Sequence, residues 1–128
     1  MTNVYARDHW LRAGNSLNSA QLLLATSPDD AAARAYYAVF HAVSALLACR
    51  GQTFTKHSAL RAAVHRDLVR TGVWPTELGE AFETLWELRD VGDYGGPVHV
   101  QHEDAVRAVA AASSIVQTVR TALPELGE

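Results

Sequence analysis

The chain has 128 residues, 48% of them hydrophobic, and a formal net charge of −3. That suits a single domain, residues 1–128, with one core, and excludes a disordered chain or a protein that coats nucleic acid through bulk charge. Its one cysteine, Cys49, excludes a disulfide framework, and the first residues lack a signal-peptide layout, so a cytoplasmic protein is expected.

Five helical segments and no strand pattern are expected. Trp10, Ala13, Leu17, Ala20 and Leu24 recur in steps of three and four, the stripe of a first helix. The second opens at Ser27-Pro28-Asp29-Asp30, where Ser can cap, Pro suits the first turn and the acids meet the helix dipole. It runs to about Arg50, and Gly51 can end it. Its stretch from Ala35 to Cys49 holds no Asp, Glu, Lys or Arg, which marks a central helix covered on all sides. That stretch is expected to be too short and too alanine-rich to span a bilayer. A third helix starts at Thr55 or Ser58, with Leu60, Val64 and Leu68 inward and Gly72 at its end. Pro75-Thr76 begins the fourth, with Leu78, Phe82, Leu85 and Leu88 inward. The glycines Gly92, Gly95 and Gly96 with Pro97 are expected to break the chain. The last helix starts near His102 and carries Val109, Ala112, Val116, Val119 and Leu123, and Pro124 stops it. Short connections make this an all-α, antiparallel up-and-down bundle.

Charge is uneven. Arg50 to Arg70 holds five Lys/Arg and one Asp, whereas Glu77 to Asp104 holds eight Asp/Glu and one Arg. These are two solvated faces, or one surface for an anionic partner and another for a basic one. His57, Arg61 and His65 lie four apart in the basic part, with Lys56 just before them: a solvent face or a strip that contacts phosphates. His99 and His102, followed by Glu103 and Asp104, have metal-ligand chemistry, but no Cys or third His is near, so a helix start with an acidic first turn is expected and no metal or cofactor.

On the second helix, Tyr36, Val39, Val43, Leu46 and Leu47 make one face. Arg34, Tyr37, His41 and Ser44 make a polar stripe opposite, flanked by Ala38, Ala42 and Ala45. Either a second copy of the chain covers this face, with the helix from Ala31 to Arg50 or the Arg89–Tyr94 junction near the axis, or the polar groups bond neighbouring helices within one chain.

These residues carry a resemblance. The segment with Arg34, Tyr36, Tyr37, Ala38, Phe40 and His41, then Lys56-His57-Ser58 after Gly51, then Arg89, Asp93 and Tyr94, resembles the HEPN superfamily, in particular its small prokaryotic branch with a Tyr-Tyr-Ala helix. The likeness runs from about Trp10 to Leu123. It implies a helical homodimer, RNA as target, metal-independent endoribonuclease activity in many members, and a separate nucleotidyltransferase chain as toxin–antitoxin partner. In active members an Arg is followed after four to six residues by a His. The Arg holds the phosphate and the His moves the 2′-hydroxyl proton.

The resemblance therefore points to Arg89, Asp93, Tyr94 and His99 as catalytic candidates, and to Arg34, Tyr37, His41, Lys56, His57 and Arg61 as binding candidates. This chain departs from the pattern at one place: the fifth residue after Arg89 is Tyr94, not His. Tyrosine titrates near pH 10 and is a poorer base. Arg34 and His41 keep a six-residue gap, but inside the apolar helix. Two functions stay open: an RNA-cleaving toxin, or a non-catalytic module that binds nucleotide, RNA or protein. Tyr94 is either the residue to which the nucleotidyltransferase attaches AMP, as the resemblance implies, or a packing residue whose hydroxyl bonds Asp90 or a backbone carbonyl.

Overall fold

The structure, a computed structural model, describes residues 3–126. All regular structure among them is helical: α1 (Val4–Leu23), α2 (Pro28–Ala48), α3 (His57–Ala63), a π-helical stretch (Val64–Val69), α4 (Thr76–Tyr94), α5 (His102–Ala122) and a 3-10 turn (Pro124–Leu126). The helices form an antiparallel up-and-down bundle. Local chemistry sets their ends. The Asn3 side chain accepts from the Ala6 amide at 3.0 Å and donates to the Ala48 carbonyl at 3.3 Å, so the start of α1 is pinned to the end of α2. Ser27 caps α2, with Pro28 in the first turn. Gly51 and Gly72, both at positive φ, turn the chain after α2 and after the π-helical stretch.

α2 is the axis of the core. Fifteen of its 21 residues are buried, and α1, α4 and α5 all pack on it. The small-residue face that sequence offered to a second copy is closed within the chain. Ala38, Ala42 and Ala45 are fully buried, and so are Ala6, Ala13 and Ala20 of α1, the helix most extensively packed against α2. Small buried side chains on both helices let the two backbones approach closely. The whole of α2, longer than its charge-free stretch, is long and apolar enough, on length and hydropathy alone, to cross a membrane, and 83% of that window is buried inside the bundle.

Two local departures shape the site. Gly92 does not break α4, which runs through it to Tyr94. A Cβ at Gly92 would lie 2.6 Å from the Asp29 carbonyl oxygen, so glycine is what lets the last turns of α4 press on the first turn of α2. The third helix loosens after Ala63: the Arg70 amide donates to the His65 carbonyl, five residues back, at 2.9 Å. This wider turn sets His65 opposite Glu83 of α4.

Candidate functional site

Where α2 and α4 meet, steps of three and four along α4 align Trp86, Arg89 and Asp93. α2 contributes Arg34, Tyr36 and Tyr37, and His57, the first residue of α3, closes the third side. Arg89 is the centre. Its Cζ lies 5.0 Å from the ring centroid of Tyr36, 5.5 Å from Trp86 and 5.9 Å from Tyr94. Three aromatic faces around one guanidinium fix it in place and cost it no hydrogen-bonding capacity. It makes no ion pair among the described residues, and its Nε is buried without an acceptor. A buried cationic N–H without a partner is costly, so the geometry asks for an anion.

The nearby acids do not supply one. Asp93 accepts the Tyr37 hydroxyl at a long 3.4 Å, and Asp90 is exposed. Arg34 is exposed, with its Cζ 5.7 Å from the Tyr37 ring. His57 lies flat on Phe40, centroids 4.2 Å apart and planes 15° from parallel, and its Nδ1 is 2.8 Å from the Tyr36 hydroxyl. Burial, and then the Arg89 charge, pull the His57 imidazole below the usual histidine range. Burial pushes the Tyr36 phenol well above its usual range, so it stays protonated.

The structure thus gathers Arg89, Asp93, Tyr94, Arg34, Tyr37 and His57 and leaves four other candidates elsewhere or occupied. Arg61 is held by Glu83 through two hydrogen bonds, one at 2.9 Å from Nε, while its Cζ lies 4.7 Å over Trp86. Nε2 of His65 meets Glu83 at 2.7 Å, on the same oxygen that accepts from Arg61 Nε, so the basic strip is neutralised rather than open. Lys56 precedes α3, exposed and outside the aromatic cluster. His41 faces α1, its Nδ1 2.9 Å from Nδ1 of His9. His99 is tied to Asp29 at 2.6 Å, and Asp29 also accepts the Val100 amide at 2.7 Å. That carboxylate is held below its usual range by the Val100 amide first and His99 second. His99 therefore fastens the loop before α5 to the start of α2 and makes no contact with Arg89. His102 caps the end of α1 at the Leu24 carbonyl, 3.1 Å away. No group of three or more metal-ligating side chains occurs among the described residues.

Tyr94 is not the packing residue sequence allowed for. Its side chain is 72% exposed and its hydroxyl makes no hydrogen bond to Asp90 or a carbonyl. No other element covers the Tyr94 side chain, so the phenol stands in solvent beside Arg89. Sequence reasoning missed Trp86, which lies three residues before Arg89 and therefore on the same helix face, and Tyr36 as the floor of the site. The aromatic spacing was legible for Trp86. Nothing in the sequence placed Tyr36 beneath a charge from another helix.

A helical bundle with this cationic, aromatic-lined junction matches the family model of the HEPN domain over residues 6–122. The chain belongs to the HEPN family. A UPF0332 protein of Thermotoga maritima is 36% identical to it over 121 residues, 93% of this chain and 92% of that one. A second UPF0332 protein, from Gloeobacter violaceus, is 30% identical and aligns with 83% of this chain and 86% of its own. "Putative toxin MJ0142" of Methanocaldococcus jannaschii is 29% identical over 77 residues, 60% of this chain and 52% of that protein. The crystal structure of TT1696 from Thermus thermophilus superimposes with a TM-score of 0.76 at 27% identity, over 91% of this chain and 96% of that one. This HEPN chain thus keeps the bundle of its relatives and sets an anion-seeking arginine at the α2–α4 crossing.

Proposed function

We propose that this HEPN protein is the RNA-acting member of a toxin–antitoxin-type pair and holds an RNA phosphate at Arg89 without a metal ion. The observation that carries this is the unpaired guanidinium: a buried Nε with no acceptor, walled by three aromatic rings. Phosphate supplies the missing acceptors. The exposed Tyr94 ring and the half-exposed Tyr37, with Arg34 beside it, suit unstacked bases of a single strand rather than a duplex. The toxin member of a pair is favoured by the M. jannaschii relative's name. The family's usual histidine is replaced by Tyr94 at its spacing, which favours the alternative in which the site binds RNA and does not cut it.

Binding of a labelled single-stranded RNA, followed by fluorescence anisotropy, tests the reading. The expected result is saturable binding that weakens steeply between low and moderate salt and is unchanged by EDTA. Binding that disappears on chelation, or equal preference for a duplex, would overturn it.

The reading extends to partners. The second chain is a nucleotidyltransferase, and the exposed Tyr94 hydroxyl is the acceptor for the AMP it transfers. A homodimer with the Arg89–Tyr94 junction near its axis, leaving the Tyr94 hydroxyl open, completes the assembly in a cytoplasmic setting. Co-expression with a nucleotidyltransferase of the kind that partners HEPN proteins, then intact mass and peptide mapping, is expected to find one nucleotide on Tyr94 and none in Tyr94→Phe. A chain that stays unmodified in the presence of an active transferase refutes this part.

A further inference from the structure

We propose that His57 is a second phosphate-holding residue, acting beside Arg89 as a neutral Nε2–H donor whose tautomer is fixed by Tyr36. This deepens the reading of the Arg89 site and rests on it. The argument begins with a hydrogen count. Tyr36 is fully buried, and its hydroxyl has one neighbour able to accept, Nδ1 of His57 at 2.8 Å. A buried hydroxyl whose proton finds no acceptor is penalised, so Tyr36 donates and Nδ1 accepts. The one proton of the neutral imidazole then sits on Nε2.

That Nε2 is free to act. Its ring makes no other hydrogen bond among the described residues. Among the described residues, the buried side-chain polar atoms that lack a partner are Ser44 Oγ, Gln52 Oε1 and Arg89 Nε, so Nε2 of His57 meets solvent. Phe40 stacks on the ring and leaves it little freedom to rotate. Tyr36 meets His57 at its hydroxyl end and carries Arg89 over its ring, so two unpaired donors share one phenol. One is charged and one is neutral, and together they offer a phosphodiester donors from two directions.

Protonating Nδ1 would place N–H against O–H and strand the Tyr36 proton. The groups facing His57 agree: Arg89 from α4 opposes a further positive charge, His41 from α2, itself held neutral by burial, offsets none of it, and the Tyr37 ring meets the imidazole edge-on. His57 is thus a donor and not a base at neutral pH. This accounts for a site that holds RNA while lacking the family's proton-accepting histidine.

Long-range nitrogen–proton NMR on the full chain reads the tautomer directly. The expected spectrum has His57 with a protonated Nε2 and a bare Nδ1, unchanged from about pH 8 to about pH 6, where a free histidine titrates. Tyr36→Phe is expected to give a mixture of tautomers that titrates in that range, a change that loss of packing alone does not produce. A hexauridylate probe supplies the second arm. His57→Ala is expected to weaken its binding about tenfold, the size of one lost phosphate hydrogen bond, and His57→Gln to restore most of it, since glutamine keeps a neutral donor. Circular dichroism checks that both variants fold. Wild-type affinity that climbs as pH falls through 6.5 would show imidazolium binding and refute the proposal, as would an Nδ1–H tautomer. Binding lost in Arg89→Ala but untouched in His57→Ala would overturn this inference alone. A wild-type chain that binds no hexauridylate would overturn the Arg89 reading and the phosphate role of His57 together.

Discussion

Arg89→Ala is expected to remove RNA binding, and any cleavage, by about a hundredfold or more while leaving the bundle folded. The loss is large because a charge-assisted contact in a half-buried site is worth about twice a neutral one, and the remaining donor, His57, is uncharged. The fold survives because Arg89 makes no hydrogen bond and no ion pair among the described residues. Removing it forfeits cation–π contacts with Tyr36, Trp86 and Tyr94 but also removes a buried N–H that has no acceptor. These oppose each other, so stability should shift by no more than about 1 kcal/mol. Arg89→Lys is expected to recover only part of the binding, since a point charge neither stacks between rings nor presents a planar fork. Anisotropy with single-stranded RNA and urea denaturation measure the two halves. RNA affinity that survives Arg89→Ala would place the site elsewhere. A variant that unfolds would make Arg89 structural.

Much of the bundle was legible because alanine-rich, amphipathic helices advertise their period. Leu60, Val64 and Leu68, or Val109, Ala112, Val116 and Val119, are buried as their spacing requires. What failed was local. Gly92 reads as a breaker in sequence, yet it sits within α4 because the Asp29 carbonyl presses there and only a hydrogen fits. The π-helical stretch was not read from the sequence; it shows only in the bond from the Arg70 amide to the His65 carbonyl five residues back. Arg89, Tyr94, Arg34, Tyr37 and His57 were found from their types and from the resemblance. Their roles were not, because roles depend on pairing. Arg61 looks as free as Arg89 in sequence, and only the structure shows that Glu83 neutralises the first and nothing neutralises the second. The small-residue face of α2 misled for a similar reason: sequence shows that something must cover Ala38 and Ala42, not that α1 does so.

Acid is expected to weaken this protein well above the pH at which carboxylates titrate, with His41 as the main cause. His41 lies between α1 and α2, its Nδ1 2.9 Å from Nδ1 of His9. The pair holds only when one nitrogen donates and the other accepts, so a second proton would set N–H against N–H. Burial first, and then the neighbouring His9 and Arg12, push His41 from 6.5 down to about 4, and Asp8, paired with Arg12, offsets this only in part. His9 moves the same way, again mainly through burial. The sign follows from linkage. The unfolded chain takes up protons near pH 6.5 and the folded one does not, so stability is full above that value and falls as pH drops toward 4. From this shift, the loss from His41 reaches about 2 kcal/mol by pH 5 and about 3 kcal/mol at its limit. Urea titrations at pH 7 and pH 5 on the native chain and on His41→Gln should show a steep native decline and a much shallower one in the variant, which cannot take up the proton. Equal slopes would show that His41 is protonated alike in both states. A native stability that rises on acidification would overturn the assignment to His41.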